Sequence, residues 1–184
     1  ETQERVQSLP LLVLDGAVIF PYTVVSLTTD EENLAAADAA LKNGRRLLLA
    51  TRRPDASAEA PLRDQLHRVG VIGRIEESGL LPTGARGLVI RGLLRAELGE
   101  QTQAEPYPRM SYSERPDRFE RDEATERLMV EVHAAIDSVL ELRPGVTQEI
   151  RNFVRSIEDP GHLADNTGYS PDYTFEERVE LIET

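Results

Sequence analysis

The stretch Arg68–Leu98, RVGVIGRIEESGLLPTGARGLVIRGLLRAEL, decides the fold. Val69, Val71 and Ile75 fall on one face, with Arg74 and Glu76 on the other. Further on, Leu88, Ile90, Leu94, Ala96 and Leu98 share a face, opposite Arg91, Arg95 and Glu97. A repeat of two is the period of a half-buried strand. Gly79-Leu80-Leu81-Pro82-Thr83-Gly84, between the two runs, is built from residues that accept or impose turn angles. The stretch therefore reads as a long antiparallel hairpin. Gly70, Gly73 and Gly92 interrupt its faces, and glycine inside a strand marks a bulge or a barrel corner, so the hairpin is expected to curl.

Upstream, Ser8–Leu14 is an almost continuous apolar run, suited to a strand buried on both faces. Asp15-Gly16 turns the chain, and Val18-Ile19-Phe20-Pro21 leads to a second β-branched run, Thr23–Thr28. The spacing predicts a helix over Thr29–Asn43, with Thr29 and Glu32 as a capping box and Leu34, Ala37 and Leu41 inward. Gly44 stops it, and Arg46–Thr51 reads as a third buried strand. Arg52–Asp64 is polar and interrupted by Pro54 and Pro61, as an exposed loop is. Beyond the hairpin, Pro106 and Pro108 break the strand, and Tyr107–Tyr112 fits one last short strand.

The pattern changes at Glu114-Arg115-Pro116-Asp117. From Asp122 to Leu142, residues Leu128, Val132, Ala135, Ile136, Val139 and Leu140 recur at helical spacing. Val146–Ile157 is a second helix, with Val146, Ile150, Phe153, Val154 and Ile157 inward. Asp159-Pro160 starts a third, and Thr174 with Glu177 caps a fourth. The fold class is thus α+β: a β-rich lobe with one helix over residues 1–113, then an α-helical lobe over residues 114–184. The last helix has only a few residues before Thr184, too few for stability alone, and the chain opens on Glu1 rather than Met. Both features lead us to expect a piece of a longer protein.

With 184 residues the chain can bury a substantial core. Its net charge is −12 and its pI about 4.8, which argues against a nucleic-acid surface and against an anionic membrane. It has no cysteine, which removes disulfides, thiolate metal sites and a Cys nucleophile, and fits a reducing cytosol. Lys42, the sole lysine, stands between Leu41 and Asn43 near a helix end, so it belongs neither to a P-loop nor to a Ser–Lys dyad. His67, His133 and His162 lie far apart without metal-ligand spacing, and His133 reads as a surface or boundary residue. The Glu76-Glu77 pair reads as a solvated strand end. No catalytic or metal residue is assigned.

The unusual feature is the hairpin tip, Leu80-Leu81-Pro82, because tips are ordinarily polar and exposed apolar patches mark binding surfaces. Two readings fit: an exposed patch, or leucines tucked against the body of the protein. Pro21 and Tyr22 pose the same question, while Phe20 reads as core.

Several motifs in this order resemble the N-terminal domain of the Lon family of ATP-dependent proteases. They are Leu9-Pro10-Leu11 through Val18-Ile19-Phe20-Pro21, Arg68-Val69-Gly70 through Ile75, Leu81-Pro82-Thr83-Gly84 into Leu88–Arg95, and Ser156–Asp165. The resemblance covers nearly the whole chain, although Asp165–Tyr173, with Asn166, Gly168 and Pro171, departs from the apolar helix usual there. It implies a PUA-like pseudo-β-barrel followed by a small α-helical bundle. It also implies that the domain binds unfolded or damaged proteins and degrons, through Leu80, Leu81, Pro82, Pro21 and Tyr22 on our reading, and that it supports a hexamer. ATP and Mg are implied for the parent protein, a cytoplasmic serine protease with an AAA+ module, and no cofactor for this stretch. The rival is a stand-alone module of the same fold, one that would bind nucleic acid if Arg68, Arg74, Arg91 and Arg95 formed a continuous stripe.

The purified chain is accordingly expected neither to hydrolyse ATP nor to cleave an unfolded protein. Turnover that survives repurification would overturn that expectation.

Overall fold

The computed structural model describes residues 7–184. Strand β1, Ser8–Leu14, is buried along its last five residues. Strand β2, Val24–Thr28, alternates between exposed and half-buried positions. Helix α1, Glu31–Lys42, carries the chain to β3, Arg46–Thr51, which lies parallel to β1 with Leu11 opposite Leu48. A parallel pair requires such a crossover. After the one-turn helix α2, Leu62–Gln65, come the hairpin strands β4, Val69–Leu80, and β5, Arg86–Gln103, and then β6, Arg109–Arg115. The sheet order is β2-β5-β4-β3-β1-β6, and β6 also pairs with β5. Strands β1, β3, β4, β5 and β6 therefore close into a ring, and β2 is a flange on the first half of β5. The expected pseudo-barrel is present.

The curl is carried by register shifts between Ile72 and Gly73 and between Ile75 and Glu77, close to where glycine announced it. Gly92 has a separate role. Its N–H donates to the carbonyl of Thr23 at 2.8 Å, and its carbonyl accepts from Tyr22 N–H at 2.9 Å. A Cβ there would come within 3.0 Å of the Phe20 carbonyl oxygen, a separation real side chains do not tolerate. Only glycine lets the connection before β2 cross β5 this closely.

Helix α1 differs from expectation at its start. Its N-cap is Asp30, whose carboxylate accepts from Asn33 N–H at 2.9 Å. Thr29 instead continues the β2–β5 ladder, donating its N–H to Arg86. The buried face of α1 is Asn33, Ala36, Ala37, Ala39 and Ala40, because small side chains let it lie close on the sheet, and Leu34 is exposed. The Asn33 amide clasps the backbone of Val13 with two bonds of 2.8 and 2.9 Å. The last strand also falls later than Tyr107–Tyr112, starting at Arg109.

The chain divides into two compact units, one running through Pro116 and including Gly168–Thr184, the other Asp117–Thr167. The division expected at residue 113 did not foresee the return. Helix α6, Phe175–Glu183, begins with the anticipated capping box at Thr174 and Glu177, but it belongs to the β unit. Its Ile182 is buried with Val18, Phe20 and Val71. Arg95 and Arg115 donate to its final carbonyls, at Ile182 and Glu183, over 3.1 and 3.0 Å. Tyr169 packs edge-on to Phe20 and its hydroxyl accepts from Phe20 N–H. Docking supplies what so short a helix lacks alone.

In the second unit, α3, Glu123–Leu142, starts at the N-cap Asp122, and α4, Gln148–Arg155, starts at Thr147. The two are tied by Arg155 to Asp137 at 2.9 Å and by His133 Nε2 with the Val154 carbonyl at 3.2 Å. Helix α5, Pro160–Thr167, begins where Asp159-Pro160 indicated. Contrary to expectation, Leu128, Ala135, Val139, Ile150 and Phe153 are exposed. Two helices cover only the facing side of each other, and the outer apolar stripe stays in solvent.

Gly92→Ala is expected to destabilise the domain by about 1–3 kcal/mol, the usual cost of overpacking. Gly79→Ala, with open space around its Cβ, is the control and should change the melting temperature little. Thermal melts of the two variants check this.

Candidate functional site

The tip of the β4–β5 hairpin is exposed. Leu80 is 77% and Leu81 39% accessible, and Pro82 is also in solvent. The turn is held by Leu81 N–H to Ala85 at 2.8 Å and Gly84 N–H to Leu81 at 2.9 Å, with Gly84 at φ 85°. Beside it lies an open groove of about 380 Å³, formed by the tip together with β2 and the start of β5. Gly79 faces Gly87 across the strands, so the floor there has no side chain. Leu81 folds over Gly87, 3.4 Å from where a Cβ would sit. Leu27, Leu80 and Leu88 supply further apolar lining, and the exposed Glu77 supplies a charge. Such a groove can take an apolar side chain from a flexible partner. Among the described residues it holds no nucleophile–base pair.

The other two expected contact residues are not at this groove. Pro21 is buried, so it offers no surface. Tyr22 is 39% accessible and has φ 64°, but it precedes β2 at the end away from the tip, roughly 15–20 Å along the strand. Phe20 is core, at 1% exposure. The sequence reading missed the exposed stripe of α3 and α4, because helical spacing cannot tell which apolar face finds a partner.

The remaining candidates are structural. Lys42 is exposed, and Glu76 pairs with Arg91 at 3.0 Å. No group of three or more His, Cys, Asp or Glu among the described residues is placed to hold a metal. No helix among them is long and apolar enough to cross a membrane. The arginines do not form a free stripe. Arg68 pairs with Glu97, Arg91 with Glu76, and Arg95 is occupied by the end of α6. His162 packs edge-on to Phe153, and His67 to Phe175.

The matching family model is that of the ATP-dependent protease La (LON) substrate-binding domain, over residues 8–184, and the chain belongs to this family. A Lon protease of Chloroflexus aurantiacus is 68% identical over 181 residues, which are 98% of this chain and 22% of that protein. The chain therefore spans about a fifth of the length of the curated relatives it matches. Among solved structures, the N-terminal domain of Mycobacterium avium complex Lon protease superposes with a TM-score of 0.80 at 28% identity, covering 97% of this chain and 90% of that one. A Lon N-terminal domain protein from Xanthomonas campestris shares the fold, with a TM-score of 0.54 at 18% identity, over 88% of this chain and 96% of that one.

His67 gives the β unit a pH dependence. Burial lowers its pKa from the ordinary value, against the pull of Glu183, and its Nε2 is buried with no hydrogen-bond partner. A histidine harder to protonate folded than unfolded contributes stability that is present above about pH 6.5 and is lost as pH falls through the lower folded value. His67→Gln cannot titrate, so it should flatten the decline in melting temperature between pH 7 and pH 5. Parallel pH series on the two proteins measure the difference.

Proposed function

We propose that this domain holds unfolded or damaged polypeptide, degrons included, for a Lon-type protease, using the Leu80-Leu81-Pro82 tip and its groove. The observation that carries this reading is the exposure of two leucines at a turn, where burial on binding is the only way to recover their hydrophobic free energy. Each leucine fully buried by a partner contributes roughly 1.5–3 kcal/mol before ordering costs. An unfolded client pays that ordering cost, so a single site is weak and several copies acting together make it effective. In the whole protein the domain serves a hexamer in the cytoplasm. ATP with Mg, and the serine-protease chemistry, belong to the rest of that protein. The ion-paired arginines and the charge of −12 weigh against nucleic acid as the ligand.

The test uses a globular protein unfolded by reducing and blocking its disulfides, alongside its native form. The domain should bind the first and ignore the second in NMR titrations. Leu81→Asp should weaken binding by at least several-fold, since its carboxylate would have to be desolvated in the complex. Its melting temperature should stay within a degree or two of the parent's, the usual result for an exposed position. A large fall in melting temperature would assign Leu81 to the core. Unchanged binding and an unchanged melt would move the client site to Tyr22 or to the outer stripe of α3 and α4.

A further inference from the structure

The groove ends at a strand with a free edge. Among the described residues, β2 pairs with β5 alone. Two bonds at the ends of this ladder set its parity: Gly92 N–H donates to Thr23, and Thr29 N–H donates to Arg86 at 2.9 Å, while Tyr22 N–H, before the ladder begins, donates to the Gly92 carbonyl. Antiparallel pairs alternate, so Val25 and Leu27 also face β5. The N–H and C=O groups of Val24, Ser26 and Thr28 point the other way. None of these three residues has a hydrogen bond away from β5 among the described residues, and all three are exposed. Natural edges are commonly blocked by a lysine, a proline, an inward charge or a bulge. Within Val24–Thr28, VVSLT, there is no charged residue, proline or register shift.

We propose that an unfolded client is held as an added β-strand along the free edge of β2. The proposal rests on the reading of this domain as a polypeptide-binding module, and specifies what it recognises: first the main chain, then side chains. Only an extended polypeptide offers donors and acceptors that match Val24, Ser26 and Thr28 at strand spacing. Ser26, Leu27 and Thr28 also line the groove, so the side chains of an added strand lie next to its apolar lining. Main-chain recognition depends little on client side chains, as the holding of varied unfolded segments proposed above requires. Charge selects among extended partners. Glu77 at the groove and Glu31 just past Thr28 are exposed, and neither forms an ion pair among the described residues. With a net charge of −12 per chain, a second copy is repelled from the edge and an apolar segment carrying lysine or arginine is attracted.

The probe is a synthetic octapeptide of alternating valine and threonine with a lysine at each end. Titrated into the isotopically labelled domain, it should slow amide exchange at Val24, Ser26 and Thr28 most, since Val25 and Leu27 are already bonded to β5. Methylating every peptide nitrogen keeps the side chains but removes the donors, and should weaken binding about tenfold or more. Methylating alternate nitrogens leaves one edge free and should cost far less. Replacing the lysines by glutamates should weaken binding several-fold. Ser26→Pro deletes the central outward donor at a position where an edge strand accepts proline, so binding should fall while the melt is kept.

A fully methylated peptide that binds as well as the parent, or bound peptide without protection at the three amides, overturns strand addition while leaving side-chain capture at the tip intact. A dimer in sedimentation, with the three amides protected before any peptide is added, overturns it in favour of a second copy. If neither the octapeptide nor the unfolded protein binds, the polypeptide-binding reading falls with it. Should Ser26→Pro lower the melting temperature, the methylated peptides on the unaltered domain decide alone.

Discussion

The β unit depends on one strand serving three neighbours. β5 pairs with β4 along most of its length, with β2 on its first half and with β6 on its second. A straight strand has two edges and could not present the same edge to two different partners without bending between them. The change of partner comes in the region of Gly92, where the Phe20 carbonyl lies against the strand. Closure of the ring, exclusion of β2 from it, and the resulting free edge all follow from that bend. So does the packing inside. Leu12, Leu47, Leu49 and Ile90 gather on one side of the sheet, and Leu11, Leu48, Ile72 and Met110 on the other.

What was legible in the sequence was what short-range periodicity encodes. The alternation of Arg68–Leu98 gave both hairpin strands, its glycines gave the curl, and Ser8–Leu14 and Arg46–Thr51 read as strands at their observed bounds. Caps read well where the side chain had no competing partner, as at Thr174 and at Asp159, whose carboxylate accepts from His162 N–H. The cap at Thr29 read wrongly because that residue bonds to Arg86, far along the chain, and no local pattern announces a ladder partner. The assignment of α6 to the helical lobe failed for the same reason. Its fate was decided by Val18, Phe20 and Val71, more than a hundred positions away.

The candidate site was half legible. A leucine pair at a tip is visible in sequence, and its exposure followed from a turn that projects beyond the ring. The groove beside it was not visible, because it requires Gly79 to stand opposite Gly87 and β2 to lie alongside. Pro21 looked like its neighbour Tyr22 in sequence. In the fold they part: Pro21 is buried, while Tyr22, at φ 64°, stays partly in solvent.

The ring's closing seam has a consequence for how the chain acquires its fold. The hairpin brings together residues that are close in sequence, whereas β1 meets β6 with Ser8 opposite Ser111. Pairings of long sequence separation pay their loop entropy before any contact rewards them, and form slowly. The hairpin can therefore assemble first, with the β1–β6 seam and the docking of α6 following. During that interval the apolar strands β1 and β3 are without their final neighbours. Extended apolar strands without neighbours are the kind of segment proposed above as a client, so a slow closing seam would expose client-like stretches of the domain's own chain.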